Sequence, residues 1–373
     1  MSVPPWSLAG LWPMCSPSIR TGGAPLHAGS SHSPSRDPQP GAPIEGLQMD
    51  DTPHTPHTPV MVGEIVDLLA TVPAGVVVDG TVGDGGHARV VLASVPRLSV
   101  IGLDRDPSAV GAATARLARF GRRATVRHAR FSSMGTEVAR VQEHELVDPC
   151  RPVVGVLLDL GVSSRQLDTP ARGFSLRAEG PLDMRMDPTT GRSAEEVVNQ
   201  APEEELRRLF VTHGEGRLAG RLARAIVRAR PLHTTAELAD VVEAAVPGAA
   251  RRRGHPATRV FQALRVAVNA EEDELDQALE TGIRLLAPGG RFLVLSYHSG
   301  EDRRVKWAFA SAARGGCTCP PDLPCGCGAR PLHRLVFSGS RVPDADEVSG
   351  NRRASSARLR VLERMSEVGS GDR

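Results

Sequence analysis

The chain has 373 residues, enough for one large or two moderate domains, and its 40% hydrophobic and 24% charged content fits a folded globular protein. Lys and Arg number 45 against 43 Asp and Glu, a net charge of +2, so any contact with nucleic acid has to come from a local patch and not from a global field. No run of about 18 apolar residues occurs, which excludes a membrane-spanning helix; residues 6–14, interrupted by Gly10 and Pro13, make a poor signal peptide, and the expected location is the cytoplasm.

Residues 1–52 are rich in Pro, Gly and Ser without apolar periodicity and are expected to be disordered, a translation start near Met49 being the plainer alternative. From 57 to 70 the apolar positions Val60, Met61, Ile65, Leu68 and Leu69 have helical spacing, with Pro59 near the first turn. Val76-Val77-Val78-Asp79 is a β-branched run that ends in an acid and breaks into Gly80, Gly83, Gly85 and Gly86. That pattern predicts a buried strand, a tight turn and a helix over about 88–93, whose N-terminal amides point at a bound group. Residues 99–104 are a second strand ending in Asp104, 25 positions after Asp79, close to where an acid holds a ribose hydroxyl pair. A third strand covers 124–127, with Phe131 just beyond it, able to lie against a purine ring or to fill the core. Residues 153–159 are almost wholly apolar, as a central parallel strand should be, and end in Asp159. Ligands of open α/β sheets bind beyond the carboxyl ends of the strands, and all three acids fall there.

After Gly161 the strand–helix rhythm stops. Residues 165–255 read as loop and helices: Ser193 with Glu196 makes a capping box, Pro202 opens a second helix, and Thr234 with Glu237 caps another. One helix is then predicted over 257–285, followed by the turn Ala287-Pro288-Gly289-Gly290, a strand over 291–295 and a last strand over 359–362. The expected fold is α/β, a Rossmann-like sheet with an inserted helical subdomain. Its parts are a disordered extension (1–52), the first part of the sheet domain (53–164), the helical insertion (165–255), the second part (256–364) and a disordered tail (365–373).

Six segments carry a resemblance. They are Asp79-Gly80-Thr81-Val82-Gly83-Asp84-Gly85-Gly86-His87, Asp104-Arg105-Asp106-Pro107, Leu158-Asp159-Leu160-Gly161-Val162-Ser163-Ser164, Gly173-Phe174-Ser175, Pro181-Leu182-Asp183-Met184-Arg185-Met186-Asp187 and Ser296-Tyr297-His298-Ser299. Together they resemble the RsmH (MraW) family of bacterial 16S ribosomal RNA cytosine-N4 methyltransferases, from about 57 to 364. The resemblance implies a class I methyltransferase fold, S-adenosylmethionine as methyl donor, and as acceptor a decoding-region cytidine of 16S ribosomal RNA, free or in the small ribosomal subunit. It implies cofactor contacts at Gly85, Gly86, His87, Asp104, Phe131, Asp159 and Gln166, and an RNA-recognition role for the insertion.

The nitrogen lone pair of an exocyclic amine is delocalised into the ring, so methylation needs acceptors that hold the amine as it rehybridises; Asp159 is the expected acceptor. Other amino-methyltransferases follow this acid with prolines and an aromatic, whereas here Leu160-Gly161-Val162 follows. Tyr297 and Phe174 are therefore the expected stacking partners of the base, and His298 and Asp183 its polar partners or loop-holders. Asp159, Tyr297 and His298 make up the predicted catalytic set. Relatives read Leu-Glu-Asp-Arg where this chain has Gly300-Glu301-Asp302-Arg303, which predicts a looser loop over the base.

Arg217, Arg221, Arg224 and Arg228 recur at helical spacing, with Leu218, Leu222 and Ile226 on the opposite face, and Arg251-Arg252-Arg253 follows: a phosphate-binding patch or a merely solvated face. Cys317, Cys319, Cys325 and Cys327 read either as zinc ligands or as a reduced thiol loop; no metal is assigned on spacing alone. An NAD-dependent dehydrogenase, disfavoured by the missing third glycine, and a non-catalytic RNA-binding module are the alternative functions. Oligomeric state is left open, a homodimer included.

Overall fold

The computed structural model describes residues 59–144, 151–176, 178–213, 216–247, 257–317, 319–320 and 326–366. The expectations for 1–52, for Arg251-Arg252-Arg253, for Cys325 and for the end of the tail lie outside the described residues.

The elements run α1 (Val62–Leu69), β1 (Gly75–Asp79), α2 (Gly86–Ser94), β2 (Leu98–Asp104), α3 (Pro107–Leu117), β3 (Ala124–His128), α4 (Met134–Glu143), β4 (Val153–Asp159), α5 (Ser164–Asp168), α6 (Ala194–Gln200), α7 (Glu203–Thr212), α8 (Ala219–Ala229), α9 (Thr235–Ala245), α10 (Ala257–Asn269), α11 (Glu271–Leu285), β5 (Arg291–Ser296), α12 (Ser299–Ala313), β6 (His333–Leu335), α13 (Ala345–Gly350) and β7 (Arg358–Arg364). The strands form one sheet in the order β3-β2-β1-β4-β5-β7-β6. β1 to β5 are parallel, and β7 runs antiparallel between β5 and β6. This is the Rossmann-like sheet expected from the sequence. Strand order reverses between β1 and β4, the switch point at which open α/β sheets bind their ligands.

The sheet is buried on both faces because its central strands are continuously apolar. In β1, Val77 joins the core under α1 and α2, whereas Val76 and Val78 join the core under α4, α11 and α12. β4 divides between the same two cores, with Val154 and Leu157 on one side and Val153, Val156 and Leu158 on the other, its alternation interrupted at Gly155 where the register with β1 shifts. Alternation in β1, and alternation around one irregularity in β4, thus assigns side chains to two cores without any polar residue in the strand interior.

Between β4 and β5 the chain builds α5 to α11, and α6 to α10 with the preceding loop enclose a separate core around Leu206, Phe210, Leu222, Ile226, Leu238, Val242, Val260 and Leu264. Both expected capping boxes are present: Ser193 and Glu196 exchange side-chain and backbone bonds at α6, and Thr234 and Glu237 do so at α9. Each satisfies two N–H groups left open at the start of a helix.

Several elements differ from the sequence-based expectation. The single helix expected over 257–285 is two, broken at Ala270, whose φ of 51° lies in the left-handed region. Asn269 explains the break: its Nδ2 donates to Met184 O (2.8 Å) and its Oδ1 accepts the Met186 N–H (2.8 Å), so the chain stops there to fasten the 184–186 loop. Pro59 does not open α1; a Cβ on Gly86 would lie 2.7 Å from Pro59 Cγ, so the proline covers the start of α2. β6, three residues on the sheet edge, carries too little pattern to be anticipated.

Candidate active site

Asp79, Asp104 and Asp159 end β1, β2 and β4, three adjacent parallel strands, and so share one rim of the sheet. Asp104 Oδ2 accepts the Gly83 N–H and Oδ1 the Asp106 N–H, both at 2.9 Å. Each oxygen keeps lone-pair capacity for one further donor. Burial pushes the Asp104 carboxyl up to about 6, the two backbone N–H groups pulling the other way. Asp79 is buried deeper and pushed up to about 7, also by burial, with His87 opposing. It accepts the Thr81 N–H (3.2 Å), and Thr81 Oγ1 in turn accepts the Asp159 N–H (2.6 Å), so the turn after β1 is tied to the end of β4.

α2 starts beneath this rim. Gly85 precedes it at φ 80°, a conformation costly for any residue with a Cβ, and no side chain caps the helix. The first-turn N–H groups and the helix dipole therefore point at the rim as an anion site. His87 Nε2 donates to Val60 O (2.9 Å), which leaves Nδ1 3.8 Å from Asp159 Oδ2.

Tyr297, just past β5, donates its hydroxyl to Asp159 Oδ1 at 2.7 Å. Burial, reinforced by the Asp159 charge, pushes the phenol well above its ordinary range, so it keeps its proton and acts as a donor. Its backbone is also held: Glu301 Oε2 accepts the Tyr297 N–H (2.9 Å) and the His298 N–H (3.3 Å). Burial works to raise Glu301, but His298, Arg265 and the Tyr297 N–H outweigh it and leave the carboxyl below its usual range. His298 caps α12 by accepting the Glu301 N–H on Nδ1, and its Nε2 lies 2.9 Å from Glu301 Oε1 without hydrogen-bond alignment.

The arrangement is a buried rim carrying a carboxylate aimed by a tyrosine, a second carboxylate with spare acceptor capacity, and an uncapped helix start between them. The profile of the MraW methylase family matches residues 54–365. The chain belongs to this family. Ribosomal RNA small subunit methyltransferase H of Heliobacterium modesticaldum is 46% identical over 315 residues, which cover 83% of this chain and 98% of the relative. The proteins of that name from Syntrophotalea carbinolica and Geobacter sulfurreducens are each 47% identical over 315 residues, 83% of this chain and 98% and 99% of theirs. Membership of a methylase family disfavours both the dehydrogenase and the non-catalytic RNA-binding module.

Of the residues expected at a MraW site, Asp159, Tyr297 and His87 form one linked cluster, with Asp104 and the Gly85-Gly86 turn on the same rim. Gln166 is buried elsewhere in the network: its Oε1 accepts the Ser163 N–H (3.0 Å) and its Nε2 donates to Asp106 Oδ2 (3.1 Å). Phe131 is half-buried against the core beside Leu158, its Cβ 3.0 Å from where a Gly80 side chain would start. Phe174 does not face the rim; it packs into the helical core beneath Arg172, because an apolar ring there is drawn to Leu182 and its neighbours. Asp183 is clamped by Arg185 through Nε (2.9 Å) and Nη2 (2.7 Å), the loop-holding alternative. Gly300 lies within the first turn of α12 and not in a loose loop, and a Cβ there would lie 3.1 Å from His298 Nδ1.

Sequence reasoning missed Asp106, which is buried and bonds Arg172 Nη1 (2.7 Å) while capping α3 through Ser108. Arg172 carries the link on to Arg185 O and Met186 O. The Asp-Pro-Ser sequence at 106–108 was the available signal, an N-cap before a first-turn proline. The four arginines of the row are all exposed; Arg217 precedes α8, and Arg224 Nη1 lies 3.7 Å from Glu203. Cys317, Cys319 and Cys327 come together in one cluster. No helix among the described residues is long and apolar enough to cross a membrane.

Proposed function

We propose that the protein transfers a methyl group from S-adenosylmethionine to the N4 amine of a cytidine in the decoding region of 16S ribosomal RNA. The observation that carries this reading is the 2.7 Å bond from Tyr297 to Asp159 on the rim that also holds Asp104 and the open start of α2. The small-subunit substrate is supported by the names of the relatives, and the cytosine N4 atom by the resemblance of the motifs to their family.

The donor fits the residues present. Asp104 retains an acceptor position on each oxygen for a ribose hydroxyl pair, and the Gly86 and His87 amides at the uncapped start of α2 suit a carboxylate. When bound, S-adenosylmethionine supplies an electrophilic methyl group on a sulfonium. Asp159 Oδ2 accepts an N–H of the cytosine amine and receives the proton that N4 loses once it is methylated. Tyr297 holds Oδ1, so the carboxylate cannot rotate away, and it stacks on the target base. Glu301, itself beside His298, positions Tyr297 by accepting its backbone N–H. Gln166 keeps Asp106 and α5 in register beside Asp104, and Phe131 walls the nucleoside end. The helical segment 165–255 reads the RNA through its arginine face, and a ribosomal substrate puts the reaction in the cytoplasm.

Labelled methyl transfer to purified small subunits and to naked 16S RNA, followed by nucleoside mass spectrometry, tests the reading. The label is expected in N4-methylcytidine, and Asp159→Ala is expected to stay folded and lose transfer by about 10²–10⁴-fold, the usual reach of positioned acid–base groups. Label in another nucleoside, or full activity in the variant, overturns it.

A further inference from the structure

The loop between α12 and β6 brings together three thiols that the active site does not use. The Sγ atoms of Cys317, Cys319 and Cys327 all lie within 4.8 Å of one another, and those of Cys317 and Cys327 are 3.5 Å apart. A disulfide needs about 2.05 Å, so this pair is not one. Four ligands at a Zn–S length of about 2.3 Å sit about 3.8 Å from each other in a tetrahedron, and the three thiols fall in that range, one pair at 3.5 Å and all within 4.8 Å. Burial does not account for the convergence, because Cys317 and Cys319 are only half-buried and Cys327 is exposed. The backbone is shaped for it. Gly315 has φ 61°, and a Cβ there would lie 2.7 Å from Pro331 N, so the two ends of the loop close on each other.

We propose that Cys317, Cys319 and Cys327 form a structural zinc site, its fourth position taken by a ligand outside this trio. An all-sulfur donor set is soft, and zinc suits a site that fastens one turn to another with no redox chemistry. The thiols release their protons on binding the metal. The site ties the end of α12 to the start of β6, and α12 is the helix whose first turn holds Tyr297 through Glu301.

The test uses the untagged full chain, purified under reducing conditions, with metal content measured by plasma mass spectrometry and the zinc then exchanged for cobalt(II). Expected are about one zinc per chain, the intense visible bands of tetrahedral cobalt–thiolate, loss of both in Cys319→Ser and in Cys327→Ser, and retention of both in Cys150→Ser. Chelation is expected to lower the melting temperature while donor affinity changes less than about twofold. Metal-free protein, zinc that persists in both variants, stoichiometric copper or iron in its place, or an intact mass showing a Cys317–Cys327 disulfide overturns the proposal.

Discussion

Asp159 is held on Oδ1 by Tyr297, while His87 Nδ1 stands 3.8 Å from Oδ2. Tyr297→Phe removes that bond and leaves the ring. A hydrogen bond to a charged group contributes about 1.5–3 kcal/mol, so kcat is expected to fall about 10–100-fold with donor affinity unchanged, measured by single-turnover transfer and by calorimetry. Asp79 makes a different prediction. Its folded value, about 7, is raised above the ordinary 3.8, so its contribution to stability is complete below about pH 4 and is lost as pH climbs through 7. Asp104, raised to about 6, adds a slope of the same sign. Thermal melts from pH 4 to 8 should show stability falling with pH, and Asp79→Asn, which keeps the acceptor for Thr81, should flatten that fall without abolishing it. A variant with an unchanged slope would show that Asp79 is not the group.

At the scale of elements, the break between α10 and α11 separates the two readings of the chain. If 257–285 were one helix, Ala270→Gly would cost about 1 kcal/mol in helix propensity. Ala270 has φ 51°, where a residue with a Cβ is strained by about 1–2 kcal/mol, so the same substitution is expected to stabilise by about 0.5–1 kcal/mol after the glycine's extra chain entropy. Denaturant unfolding reads the sign directly. α8 carries the second prediction at this scale. Arg221 and Arg228 lie on the helix face opposite the buried Leu222 and Ile226, with Arg217 just before the first turn. Changing all three to Ala should weaken RNA binding and reduce the slope of log affinity against log salt by about 2–3, roughly one for each phosphate that no longer meets an arginine. An unaltered slope would make the face a solvated one.

At the scale of the whole molecule, what could be read in the sequence was whatever short spacing encodes. Apolar runs ending in Asp79, Asp104 and Asp159 gave three strands and their rim, and Ser-x-x-Glu and Thr-x-x-Glu gave two helix starts, because each depends on residues within a few positions. What could not be read depended on distant partners. Phe174 turned from the rim into the helical core because Leu182 and Met184 lie there, α10 stopped at Asn269 to bind a loop more than 80 positions away, and Asp106 found Arg172 across the sheet edge. Gly300 is a case of the second kind: a glycine that suggested looseness sits inside the first turn of α12, where a Cβ would lie 3.1 Å from His298 Nδ1.

The central claim is that the rim of β1, β2 and β4 holds S-adenosylmethionine, and calorimetric titration of the donor into the wild type and Asp104→Ala tests it most directly. One donor site per chain, affinity lowered at least about tenfold in Asp104→Ala with an unchanged circular dichroism spectrum, and no heat from NAD are expected. Donor affinity that survives the substitution, or binding of NAD in place of the donor, would contradict the account.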